Sequence, residues 1–91
     1  MMSIERICEE AAMITSKHGD FNSTHEALGV LQEEFDELKD AIRANSIEAV
    51  AHEAMQVSAV ALRLYLLCER AVAGGAHAFK ARSGADRSAT L

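Results

Sequence analysis

Ninety-one residues with 49 % apolar content make one domain whose core is small, so support from a second subunit is expected. Trp and Pro are absent and the aromatics are only Phe21, Phe35, Phe79 and Tyr65, an Ala/Leu/Val/Glu composition that excludes most all-β architectures and fits packed helices. Fourteen acidic against nine basic residues, a formal charge of −5, argue against direct contact with a nucleic-acid backbone.

The first predicted helix covers residues 3–17, where Ile4, Ile7, Cys8, Ala11 and Ile14 recur at helical spacing until His18-Gly19-Asp20 breaks the pattern. A polar loop follows, and Ser23 with Glu26 three residues later forms a capping-box pattern that starts the second helix. In that helix Leu28, Leu31, Phe35, Leu38 and Ile42 alternate in steps of three and four, the rhythm of a seam packed on a neighbour. Asn45 and Ser46 interrupt it, and either can cap a third helix with seam residues Ile47, Val50, Ala54, Val57, Ala61, Leu64 and Cys68.

So short a break leaves no chain to return to the other end, and the second and third helices must form an antiparallel hairpin. A second apolar stripe on the third helix, Met55, Ala59, Leu62 and Leu66, exceeds what one partner covers and is assigned to a homo-oligomer interface. The third helix ends near Ala73, before Gly74-Gly75, which makes residues 1–73 the domain and 74–91 a tail, with a short helix conceivable near Ala76–Arg82. Thirteen of the fourteen acidic residues lie in 1–73, whereas the tail holds Lys80, Arg82 and Arg87 against Asp86. Cys8 and Cys68, at apolar helical positions, are expected to be buried free thiols. The longest apolar run, Val57 to Cys68, contains Ser58 and Arg63 and is too short to span a bilayer, so a cytoplasmic protein is expected.

The chemistry-bearing residues follow from the hairpin. With the seam residues at heptad positions a and d, Glu34 and Glu37 fall at g and c of the second helix, and Glu53 and Gln56 at g and c of the third. Counted from Asn45, Glu37 and Glu53 are both eight residues away and Glu34 and Gln56 both eleven, about 12 and 16 Å along the axes. Three carboxylates and an amide oxygen should therefore converge on one side of the hairpin, where like charges repel until a hard cation intervenes. An oxygen-only set with room for water and phosphates fits Mg²⁺, or Mn²⁺, better than Zn²⁺. Glu33, Asp36 and Asp40 are read as a solvated face, and His52 as a surface histidine.

Glu34-x-x-Glu37, fifteen intervening residues and Glu53-x-x-Gln56 resemble the ExxE…ExxD metal motif of the MazG-like all-α nucleotide pyrophosphohydrolases. The stretch His18–Ala27 leading into Glu33–Leu38 is similar to small phage and bacterial members of that superfamily, and the resemblance spans roughly residues 15–70. It implies an all-α bundle completed by oligomerisation to a homodimer or homotetramer. The implied reaction is hydrolysis of a nucleoside triphosphate to monophosphate and pyrophosphate. Glu34, Glu37 and Glu53 would then be catalytic, and these three with Gln56 would hold Mg²⁺.

Arg63, seven residues beyond Gln56 on the same helical face, is a candidate for a substrate phosphate or for pairing with a glutamate. His25, beside the start of the second helix, and Lys39, from a neighbouring subunit, are further substrate-binding candidates. Gln56 departs from the family's usual Asp: it still offers an oxygen but no charge, which weakens metal affinity. That departure motivates the alternative of a catalytically weak relative that binds nucleotide or a protein partner.

Overall fold

The computed structural model describes residues 3–74, which form three helices: α1 (Ser3–His18), α2 (Thr24–Arg43) and α3 (Ile47–Ala73). The tail from residue 75 onward, including the helix considered near Ala76–Arg82, lies outside the described residues. The protein is all-α. None of the described helices is long and apolar enough to cross a membrane.

Helix ends follow the local chemistry of the chain. Gly19 closes α1 in the left-handed conformation, φ +81°, a backbone state that costs glycine little, and its N–H reaches the Thr15 carbonyl at 2.7 Å. Ser23 caps α2 by accepting from the Glu26 N–H at 3.1 Å. The Glu26 carboxylate answers by accepting from the N–H of Asn22, one residue earlier than in the standard reciprocal box. Between α2 and α3 lie Ala44, Asn45 and Ser46. Asn45 takes φ +61°, which asparagine tolerates better than most residues, and Ser46 is the cap of α3, accepting from the Ala49 N–H at 3.1 Å. Within the apolar run of α3, Ser58 satisfies its hydroxyl by donating to the Ala54 carbonyl at 2.8 Å.

α3 is the central rod, packed against α2 on one side and α1 on another. α2 is antiparallel to it, as the hairpin requires. α1 is parallel to it, because its cross-contacts climb both chains together: Glu10 with Gln56, Thr15 with Arg63, and Asp20 just beyond α1 with Arg70. Phe21, from the loop between α1 and α2, is buried with Ala27, Val60 and Leu67, and Val30, Leu31 and Leu64 pack around them.

Three expectations change. The α2 seam is rotated: Ala27 and Ala41 are buried while Leu28, Phe35 and Ile42 are about half exposed, so half-buried Leu31, Glu34 and Leu38 lie on the packed face. Small side chains let the two backbones approach, and the larger residues are left on the flank. The second stripe of α3 is partly taken up by α1: Ala59, on the face of α3 that carries Gln56 and Arg63 toward α1, is fully buried and Met55 and Leu62 are half-buried, whereas Leu66 stays exposed. Finally, Cys8 is an exposed thiol and Cys68 a half-buried one, since α1 turns Ala11 rather than Cys8 inward.

A tight α1–α3 contact built on Ala59 makes a direct prediction. Ala59→Leu should destabilise the chain by about 1–3 kcal/mol through overpacking, whereas Ala61→Leu, at a position expected in the α3 seam but exposed because Val60 and Leu67 turn inward instead, should change it by less than about 0.5 kcal/mol. Thermal unfolding followed by circular dichroism distinguishes them, at about 4–8 °C per kcal/mol for a domain of this size.

Candidate metal centre and adjoining cavity

The hairpin brings together the three carboxylates among the four expected oxygen donors. One carboxylate oxygen from each of Glu34, Glu37 and Glu53 lies within 4.8 Å of the others. Two of the three arrive from α2 one turn apart and the third from α3, at the level that counting from Asn45 requires. Glu34 and Glu53 are half-buried and Glu37 is exposed, so the cluster opens to solvent on one side.

Carboxylates this close repel one another by about 1 kcal/mol per pair even under the screening of bulk water, and more where water is excluded. The Oε1 atoms of Glu34 and Glu53 are shielded from solvent and meet no hydrogen-bond donor among the described residues. Burial raises the Glu34 pKa above the ordinary glutamate range, and the negative charges of Glu37, Glu53 and Glu33 raise it further, with His52 partly offsetting them. His52, expected to be an ordinary surface side chain, is exposed but close enough to act on this carboxylate.

A hard divalent cation fits this arrangement. Ligand distances of about 2.0–2.5 Å let one ion touch oxygens up to about 4–5 Å apart, and the donors are all oxygens. A cation would also answer the two shielded oxygens that no protein donor reaches.

Beside the cluster is a cavity of about 330 Å³, the lower end of the range of small-ligand sites. Glu34 belongs to both cluster and cavity. Gln56 and Arg63 line the cavity from α3 about 10 Å apart along the helix, with Phe21, Val30 and Val60 supplying apolar wall. Gln56 does not stand free: its Nε2 donates to the Glu10 carboxylate of α1 at 2.9 Å.

Arg63 pairs with no glutamate. It donates through Nε to the Thr15 hydroxyl and through Nη2 to the Gly19 carbonyl, both at 3.2 Å, and lies 4.2 Å from the centroid of the Phe21 ring. Partial burial lowers its pKa, which Asp20 and Glu26 counter, but a guanidinium keeps its charge at neutral pH. The side chain therefore ties the end of α1 and the following loop to α3 while placing positive charge at the cavity.

The other two substrate-binding candidates are elsewhere. His25 is exposed at the start of α2, where Glu26 rather than His25 faces the cavity, and Lys39 pairs with Asp36 at 3.7 Å on the surface of α2. Glu10 was missed by sequence reasoning. Its contact spans forty-six residues, and on the predicted first helix it was one of several glutamates off the apolar stripe.

No family model matches the chain, and neither a curated protein nor a solved structure matches it. The reading of the site rests on its own residues.

The Glu34 shift has a consequence for stability. A carboxylate with a folded-state pKa above its unfolded value favours folding fully below the unfolded pKa, and that contribution is lost as pH rises through the folded pKa. Without divalent cations the Glu34 contribution to stability should fall from about pH 4.5 upward into the raised range, so the stability difference between wild type and Glu34→Gln should change across that window. Urea denaturation in chelator at stepped pH measures both; identical slopes for the two proteins would refute the assignment.

Proposed function

We propose that this chain is a Mg²⁺- or Mn²⁺-dependent nucleoside triphosphate pyrophosphohydrolase related to the MazG-like superfamily. The observation that carries the reading is the convergence of Glu34, Glu37 and Glu53 oxygens within 4.8 Å, with two of these carboxylates holding shielded oxygens that lack a donor. The cavity that starts at Glu34 and reaches Arg63 supports it, because it offers a triphosphate one acidic end and one cationic end.

Bound at the three carboxylates, the metal would neutralise phosphate charge and lower the pKa of a water nucleophile. The protein's own contributions are positional. Glu34, Glu37 and Glu53 would hold the cation, and one of them would accept the proton of the attacking water; Arg63, already anchored at Thr15 and Gly19, would face phosphate oxygens from the cavity wall. Water adds at the α-phosphorus as the bond to the β-phosphate oxygen breaks, releasing monophosphate and pyrophosphate. Such a substrate belongs to the cytoplasmic nucleotide pool.

The exposed, heptad-spaced stripe Leu28, Phe35 and Ile42 on α2 supports assembly as a homodimer or homotetramer. It adds to the α3 stripe, of which Leu66 stays exposed. Phe35→Lys should then shift the sedimentation coefficient to that of a smaller species, and a wild type already sedimenting as a monomer would remove the oligomer from the proposal.

One observation favours a second reading, a catalytically weak protein that binds nucleotide or a protein partner: Gln56 brings no charge, and its amide is engaged by Glu10. Turnover separates the two. Across ribo- and deoxyribonucleoside triphosphates with Mg²⁺ or Mn²⁺, the enzyme reading predicts pyrophosphate release that Glu37→Gln or Glu53→Gln abolishes without unfolding. Nucleotide binding with no pyrophosphate from any substrate selects the binder.

A further inference from the structure

Gln56 carries two chemically opposite ends, a carbonyl oxygen that can serve a cation and an NH₂ that can only repel one. Which end faces the cavity decides whether Gln56 helps the site or obstructs it. The risk of obstruction is physical: Gln56 shares the cavity wall with Glu34, whose Oε1 is shielded and lacks a donor, and an amide free to turn can present its NH₂ to the space a cation would need.

α1 removes the ambiguity. Glu10 is half-buried against α3, and its Oε2 accepts from Gln56 Nε2 at 2.9 Å. An ionised carboxylate has no proton to give, so it recognises only the NH₂ end of the amide. With that end held by Glu10, the carbonyl oxygen is the end left for the cavity.

We propose that Glu10 is a positioning residue: its grip on the Gln56 NH₂ turns the amide oxygen toward the cation site and keeps the Glu34 carboxylate free for metal. The proposal rests on the metal-site reading above and extends it to a helix outside the hairpin. It follows that α1 is part of the donor arrangement and not only a cover for α3.

The test is Mn²⁺ binding to the full chain without nucleotide, read by the electron paramagnetic resonance signal of free Mn²⁺, with thermal unfolding in parallel. Glu10→Ala removes the acceptor, and Glu10→Gln keeps its shape while losing its preference for the NH₂ end. Both should weaken Mn²⁺ binding by about 10- to 100-fold, the usual effect of losing a partner that orients a ligand. Arg70→Gln breaks another cross-contact of α3, the ion pair with Asp20 at 3.0 Å, and should leave Mn²⁺ affinity unchanged.

The isosteric swap is the decisive arm. In Glu10→Gln with Gln56→Glu, the same bond re-forms with donor and acceptor exchanged and a carboxylate now faces the site, so Mn²⁺ affinity should return to the wild-type level or exceed it. If wild type binds Mn²⁺ and the two Glu10 variants bind equally well, or if the swap fails to restore binding, Glu10 is not a positioning residue and the metal centre stands without it. A wild type that does not bind Mn²⁺ overturns the metal centre itself and this role with it.

Discussion

Asn45 is where the rest of the molecule is decided. Two long helices separated by three residues can only fold back on each other, and the left-handed turn at Asn45 fixes the level at which they meet. Once that level is set, residues equally distant from the turn become neighbours. Glu37 and Glu53 are such a pair, and Glu34 lies one turn from Glu37 on the same helix, so the acid cluster is a consequence of where the chain reverses and not of any local attraction among its members. Local attraction runs the other way: the packing of Ala27, Leu31, Val60, Leu64 and Leu67 holds together groups that would separate if they were free to do so.

The phase of that packing sharpens the chemistry. Because Ala27 and Ala41 line the seam, α2 presents the row Leu31, Glu34, Leu38 to α3, and Glu34 is drawn from the rim into partial burial. Its raised pKa and unmatched oxygen both follow from this rotation. A seam built on Leu28, Phe35 and Ile42 would have left the carboxylate in water with an ordinary affinity for protons and cations. α1 adds a third constraint, since its parallel course along α3 brings Glu10 to Gln56 and Thr15 to Arg63 and walls the space between them.

The elements were legible in the sequence because their signals are local. Caps at Ser23 and Ser46, the stop at Gly19 and three- and four-residue apolar steps need no knowledge of the tertiary fold. Pairing Glu34, Glu37 and Glu53 needed only arithmetic along a hairpin, which survives an error in helix phase. The phase itself was not legible. α2 has an apolar arc wide enough to hold both Leu28–Phe35–Ile42 and Ala27–Leu31–Leu38–Ala41, and apolar size favours the first while close backbone approach selects the second. The fate of Met55, Ala59, Leu62 and Leu66 was hidden for a related reason: which helix covers a stripe depends on the path of α1, and that path is written in contacts between residues some fifty positions apart.

The same oxygens serve two competitors, and this couples folding to chemistry. On the proposed reading, protons and divalent cations would both relieve the repulsion that packing imposes on Glu34, so its protonation at low pH favours the metal-free fold while it competes with a metal. As pH rises the Glu34 carboxylate ionises and its repulsion weakens the metal-free fold, and a cation that binds only the folded state would return its binding energy to stability. A chain with so small a core can carry an acid cluster in its seam because the cost falls on the empty protein. On the proposed reading Gln56 fits this balance: an amide adds no negative charge to the metal-free seam, and its NH₂ end is engaged by Glu10.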